Sequence, residues 1–234
     1  MAEQALKPDR RKYGVDILII AAASFAAWCA MGVFFLLLKI DLGGFPVLAQ
    51  TLIMALFEFG VMGLGITLVC VYRKEGFASF GLKKEGLLAT VLLSALVCLP
   101  ELLYTVYQYG SITYFPFQGV NYTKAVLASG FPVNVAGMLL IIASWGFFEG
   151  FTYVVISDRI NKILPAKNPF LNWGAIICGI FCLLIHIVAG HTYGMDAITT
   201  FIIIYGMLVV YRFTGNAWGC VFIYLFWWNA IYCA

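Results

Sequence analysis

The sequence predicts an all-α membrane protein, a polytopic helical bundle of about seven transmembrane helices, and three observations carry that prediction. Apolar residues make up 63% of the 234-residue chain and charged residues only 11%, where soluble domains carry about 25%. Mean hydropathy is +0.97. The apolar residues fall into runs near the ~20 residues that cross a bilayer, at about 15–38, 45–72, 87–107, 132–157, 172–190, 196–213 and 216–233. No linker or internal repeat divides them, so residues 1–234 read as one integral membrane domain, with 1–14 as a basic cytoplasmic segment.

The first run follows Lys7, Arg10, Arg11 and Lys12. It is far longer than the 7–15 residues of a signal-peptide core and no small-residue cleavage site ends it, so it reads as an uncleaved anchor. Basic residues then set the orientation, since short cytoplasmic loops collect them. With the N-terminus inside, Lys39 and Lys124 are the only basic residues placed outside, and the remaining ones, among them Arg73, Lys74, Lys83, Lys84, Arg159, Lys162, Lys167 and Arg212, fall inside. The expected location is the cell membrane, with an external C-terminus.

The second run carries Glu58. The third carries Glu101 directly after Pro100, where freed backbone carbonyls invite a polar neighbour. Structural pairing is the expected role of both glutamates. The outer segment 108–130 is rich in aromatic residues, and together with Tyr107, its Tyr109, Tyr114, Phe115 and Phe117 suit an interfacial belt or a re-entrant lid. The sequon Asn121-Tyr122-Thr123 lies in the same segment and matters only in a host that glycosylates. The last two runs, separated only by Arg212–Gly215, read as a helical hairpin or one broken helix.

Seven cysteines fall inside or at the ends of the runs, an odd intramembrane set that gives no disulfide framework. They read as small apolar thiols packed between helices. Cys178, Cys182 and His186 share a helical face, yet a structural zinc takes four ligands from several elements. No metal or other cofactor is expected.

Glu149 is the most informative residue, because it sits in a stretch from Phe131 to Ser157 that otherwise carries no charge. A carboxyl at that depth costs about 2.5–3.5 kcal/mol on insertion scales, so it is paired, protonated or functional. Gly146 and Gly150 flank it in a small-xxx-small pattern that admits a neighbouring helix. His186 is the histidine of the next run; His191 lies about 140° further round the helix and nearer the outer surface. The His-Glu-x-x-His and Gly-x-Ser-x-Gly patterns are absent. What remains is a carboxylate and an imidazole activating a water without metal. Counted at ~1.5 Å per residue, Glu149 lies about 18 Å and His186 about 6 Å below the outer surface, a gap that tilt must close.

The order Phe-Phe-Glu149-Gly-Phe-Thr-Tyr, then Cys182-Leu-Leu-Ile-His186, then Thr214-Gly-Asn-Ala-Trp218 and Leu225-Phe-Trp-Trp-Asn229 resembles the CPBP (Abi) family of CAAX-processing and bacteriocin-processing membrane endopeptidases. Phe80-Gly-Leu82 after a basic turn looks like that family's early landmark, and the similarity runs over roughly residues 50–230. The resemblance implies that Glu149 and His186 activate water and that Asn229 helps hold the oxyanion. The chain departs from the family pattern at Gly150, where a second glutamate belongs, and at Val154, where an arginine belongs. It departs again at Cys182 in place of a phenylalanine and at Leu225 in place of a histidine. Tyr153 and Thr152 are the neighbours placed to take over lost roles.

Three readings follow. One is a glutamate-dependent intramembrane endopeptidase, or a catalytically weakened relative, with a membrane-anchored peptide or protein as partner. The second is a non-catalytic subunit or scaffold that binds a membrane protein through the Gly146/Gly150 groove and the surface around Trp227 and Trp228. The incomplete motifs favour this one slightly, with Glu149 and His186, where they meet, as a hydrogen-bonded strut. The third, a proton path through Glu58, Glu101 and Glu149, lacks an inverted repeat. All three place the chain in a lipid bilayer and none involves nucleic acid.

Overall fold

A computed structural model describes residues 10–188, 195–228 and 230–233. The chain is all-α apart from one short ribbon. Four helices are long and apolar enough to cross a membrane: α1 (Arg10–Leu37), α2 (Val47–Arg73), α3 (Leu87–Tyr109) and α5 (Val133–Ile163). A short α4 (Thr123–Ala128) precedes α5. Three further helices, α6 (Trp173–Val188), α7 (Met195–Thr214) and α8 (Trp218–Trp228), follow it. Their apolar stretches, Trp173–Ile187, Ile198–Thr214 and Trp218–Trp228, fall short of a membrane-crossing length. The seventh predicted run also ends differently from expectation, because α8 stops at Trp228 and Ile231–Cys233 forms strand β2. It pairs antiparallel with β1 (Ile112–Tyr114), Thr113 opposite Tyr232.

These contacts sort the chain into two ends. The ribbon joins the segment after α3 to the segment after α8, so both lie at one end. At the other end Asp16, Arg73, Glu75 and Arg159 meet in one ion cluster, which brings together the start of α1, the end of α2 and the end of α5. Asn216 joins that end too, donating to the carbonyls of Lys83 and Glu85 at 2.9 Å each, and Arg212 donates to Ala166 O at 2.6 Å. Gly81 permits the close approach of these loops. It holds φ +91°, its carbonyl accepts from Ala217 N at 2.9 Å, and a Cβ there would lie 2.5 Å from Gly215 O.

Helix starts are fixed by side chains where the hydropathy pattern is silent. Asn172 caps α6 by accepting from Ala175 N at 3.0 Å while its amide donates to Leu208 O at 3.1 Å. Just before α8, Asn216 Oδ1 accepts from Trp218 N at 2.9 Å.

The core lies between α2, α5, α7 and α8. Ile66, Val69, Phe151, Val154, Ile203, Ile204, Met207, Cys220, Val221 and Tyr224 are all buried in one cluster. Helix α5 is its axis, with 50% of its most apolar stretch buried, whereas α1 buries 11% and turns Leu18, Phe25, Leu36 and Leu37 outward. Such outward apolar faces suit lipid. The cysteines Cys70, Cys98, Cys178, Cys182 and Cys220 are buried free thiols, and Cys29 is an exposed one.

Candidate functional site

Two hydrogen bonds set α2 and α5 side by side and parallel. Ser144 Oγ donates to Ala55 O at 3.1 Å, and two turns further on Thr152 Oγ1 donates to Met62 O. The partners are 89 and 90 residues apart, so positions about 90 apart stand level; Glu58 and Glu149, 149 − 58 = 91 apart, therefore share a level. Phe59 and Phe148 confirm the register with an edge-to-face contact at 4.8 Å. Both helices widen into π-helical turns here. Glu58 directly precedes the turn Phe59–Gly63 and Glu149 directly follows Ile142–Phe148. Turns of this kind concentrate at functional sites.

Glu58, Glu149 and His186 line one cavity of about 350 Å³, within the size range of small-ligand sites. The depth gap expected between Glu149 and His186 does not keep them from lining one cavity. Tyr153 and Cys182 complete the polar lining, and Trp28, Met31, Met54, Phe57, Trp145 and Trp228 supply apolar walls. Glu149 is half-buried, as a side chain that faces a cavity must be. The His186 ring stands edge-on to Trp228 at 6.0 Å, Trp228 packs on Tyr224 at 5.6 Å, and Tyr224 stacks on Tyr153 at 5.8 Å. An aromatic row thus runs from the imidazole back to α5.

The segment 108–130 borders this cavity. Gly119 reaches its lining, while Phe117, Val120 and Val126 are buried against Ile141, Trp145 and Leu225. Tyr107, Tyr109 and Tyr114 are exposed.

The remaining predicted positions divide. Asn229 and His191 lie outside the described residues. Thr152 is spent on Met62 O, but Tyr153 faces the cavity. Val154 is fully buried core, and Leu225 packs onto Gly146 rather than lining the cavity. The Gly146/Gly150 groove is already filled by α8: a Cβ on Gly146 would strike the Leu225 side chain, and one on Gly150 would lie 2.9 Å from Tyr224 Cδ2. A partner protein therefore has no access to it. Glu101 accepts from Trp227 Nε1 at 2.5 Å, a structural pairing that ties α3 to α8, and it is not among the residues that line the cavity with Glu58 and Glu149. Glu58 lines the cavity with Glu149 and His186, a position set by the α2–α5 register and not by anything in its own run. Among the described residues, no three His, Cys, Asp or Glu side chains converge as metal ligands.

No protein-family model matches the chain, and no curated protein or solved structure is significantly similar to it.

Proposed function

We propose that this chain is a membrane-embedded hydrolase of the CPBP type, cleaving an amide bond in a membrane-anchored peptide or protein. Glu149 acts as general base on a water held beside His186. The single observation that carries the reading is that these two residues, from different helices, line one cavity with apolar walls. A general base needs room for water and substrate, and a cavity of this size offers it. The Gly146/Gly150 scaffold reading loses support because α8 occupies that groove.

The test is turnover of a panel of membrane-anchored and prenylated peptides by the purified chain in lipid vesicles. Wild type is expected to cleave at least one of them. Glu149→Gln, which keeps the shape and removes the base, should lose about 10²–10⁴ of the rate. Equal turnover in both proteins would remove the reading.

The same reading puts the ion-cluster end in the cytoplasm of a cell whose plasma membrane holds the chain, because nearly all basic residues lie there. A reporter fused after Ala166 should score as cytoplasmic and one inserted near Gly119 as external. Reversal at either point would invert the orientation.

A further inference from the structure

Glu58 shares the cavity with Glu149 and His186 yet has no part in a water-activating pair made of those two alone. We infer that Glu58 is a second catalytic carboxyl, the acid that serves the carbonyl oxygen of the scissile amide while Glu149 serves the water. The inference rests on peptide hydrolysis at Glu149.

Three features of the geometry converge on it. The stitches Ser144–Ala55 and Thr152–Met62 bracket the two glutamates and hold them level on parallel helices. Each glutamate abuts a π-helical turn, so the helix is irregular beside both carboxyl-bearing residues. Both glutamates line the same cavity, which has room for a water and a substrate carbonyl. Two bare negative charges close together in an apolar cavity repel strongly, so in the proposed pair one carboxyl holds a proton and the other does not. The one that holds the proton is a donor, and the one that lacks it is a base.

The cycle balances without a cofactor. Glu149 carboxylate takes a proton from water as the water oxygen bonds to the carbonyl carbon, and Glu58 gives its proton to the carbonyl oxygen. In the gem-diol that results, Glu149 returns its proton to the amide nitrogen. Glu58 takes a hydroxyl proton, the C=O bond re-forms, and the C–N bond breaks. One water is consumed, a carboxylic acid and an amine leave, and both glutamates end as they began. His186 orients the water beside Glu149.

The experiment compares wild type, Glu58→Gln, Glu58→Asp and Glu149→Gln on the same peptide panel across pH, with thermal unfolding as the folding control. Glu149, His186, Tyr153 and Cys182 are the other titratable groups lining the cavity, while α1 contributes only Trp28 and Met31. Glu58→Gln should lower kcat by about 10²–10³ with KM unchanged, as loss of an oxyanion donor does. It should also lose the limb of the pH–rate profile that reports the acid. Glu58→Asp should regain part of the rate and that limb. A Glu58→Gln protein with wild-type kcat and pH profile would overturn the assignment while leaving Glu149 in place, as would equal losses in Gln and Asp with the profile intact. Wild type that cleaves nothing would overturn the hydrolytic reading itself, and the Glu58 assignment with it.

Discussion

Arg159→Met is expected to destabilise the protein by about 3–5 kcal/mol, the usual cost of leaving buried charges without their partner. The guanidinium is 1% exposed and lies between the rings of Phe80 and Tyr13, at 4.9 and 5.4 Å from their centroids. Its Nε meets Asp16 Oδ2 at 3.0 Å, its Nη1 meets Asp158 Oδ2 at 3.2 Å, and its Nη2 pairs with Glu75. Methionine keeps the length of the side chain but leaves the fully buried Asp16 with Arg73 alone, at 2.7 Å. Thermal or denaturant unfolding of the purified protein measures the loss; a change below about 1 kcal/mol would mean that the cluster behaves as a surface pair.

The same cluster predicts how stability changes with pH. Burial alone would raise the Glu75 pKa, but the hydrogen bond and charge of Arg159, with Lys12 and Lys162, outweigh it and hold the carboxyl below its ordinary range. A depressed folded-state pKa means that Glu75 contributes stability above its unfolded value, and that this is lost as pH falls through the folded one. Wild type should therefore weaken on acidification by more than Glu75→Gln does.

Hydropathy made the rods legible, since segment length and apolar content depend only on neighbours in sequence. It misplaced two ends for one reason. The first run was read from 15 and the fourth to 157, whereas α1 starts at Arg10 and α5 continues to Ile163. The added turns carry Lys12, Asp158 and Arg159, which a hydropathy window reads as loop. Their charges meet partners distant in sequence, Lys12 and Arg159 with Glu75 and Arg159 also with Asp16. Asp16 alone offered a signal, as a charge just inside a predicted span. Ile231–Cys233 was missed because a three-residue apolar strand has the same hydropathy as a helix end. At the site, Glu149 and His186 were legible as isolated polar groups in apolar runs. Glu58 was equally visible, but its companionship with Glu149 depends on the register between two helices, and that register is set by Ser144 and Thr152.

Gly150→Glu, which would restore the second glutamate of the resembling family's first motif, is expected to damage the fold instead of rebuilding a site. A Cβ at Gly150 would lie 2.9 Å from Tyr224 Cδ2, 3.0 Å from Cys220 O and 3.1 Å from Val221 Cα. Two of those three atoms are α8 backbone, which cannot rotate aside, so α8 must shift as a body. Overpacking of this kind costs about 1–3 kcal/mol. The carboxyl adds a further ~2.5–3.5 kcal/mol if it stays within the apolar bundle. Gly150→Ala should carry only the smaller, steric part. Thermal unfolding of the three proteins in detergent separates the contributions, and Gly150→Glu should also reduce the folded yield. If Gly150→Glu melted like wild type, α8 would have to yield easily, and the absence of that glutamate would be a simple loss from a catalytic motif. The expected order, wild type above Gly150→Ala above Gly150→Glu, instead makes Gly150 the residue that admits α8, and α8 carries the Trp228 and Tyr224 rings that back the cavity between Glu149 and His186.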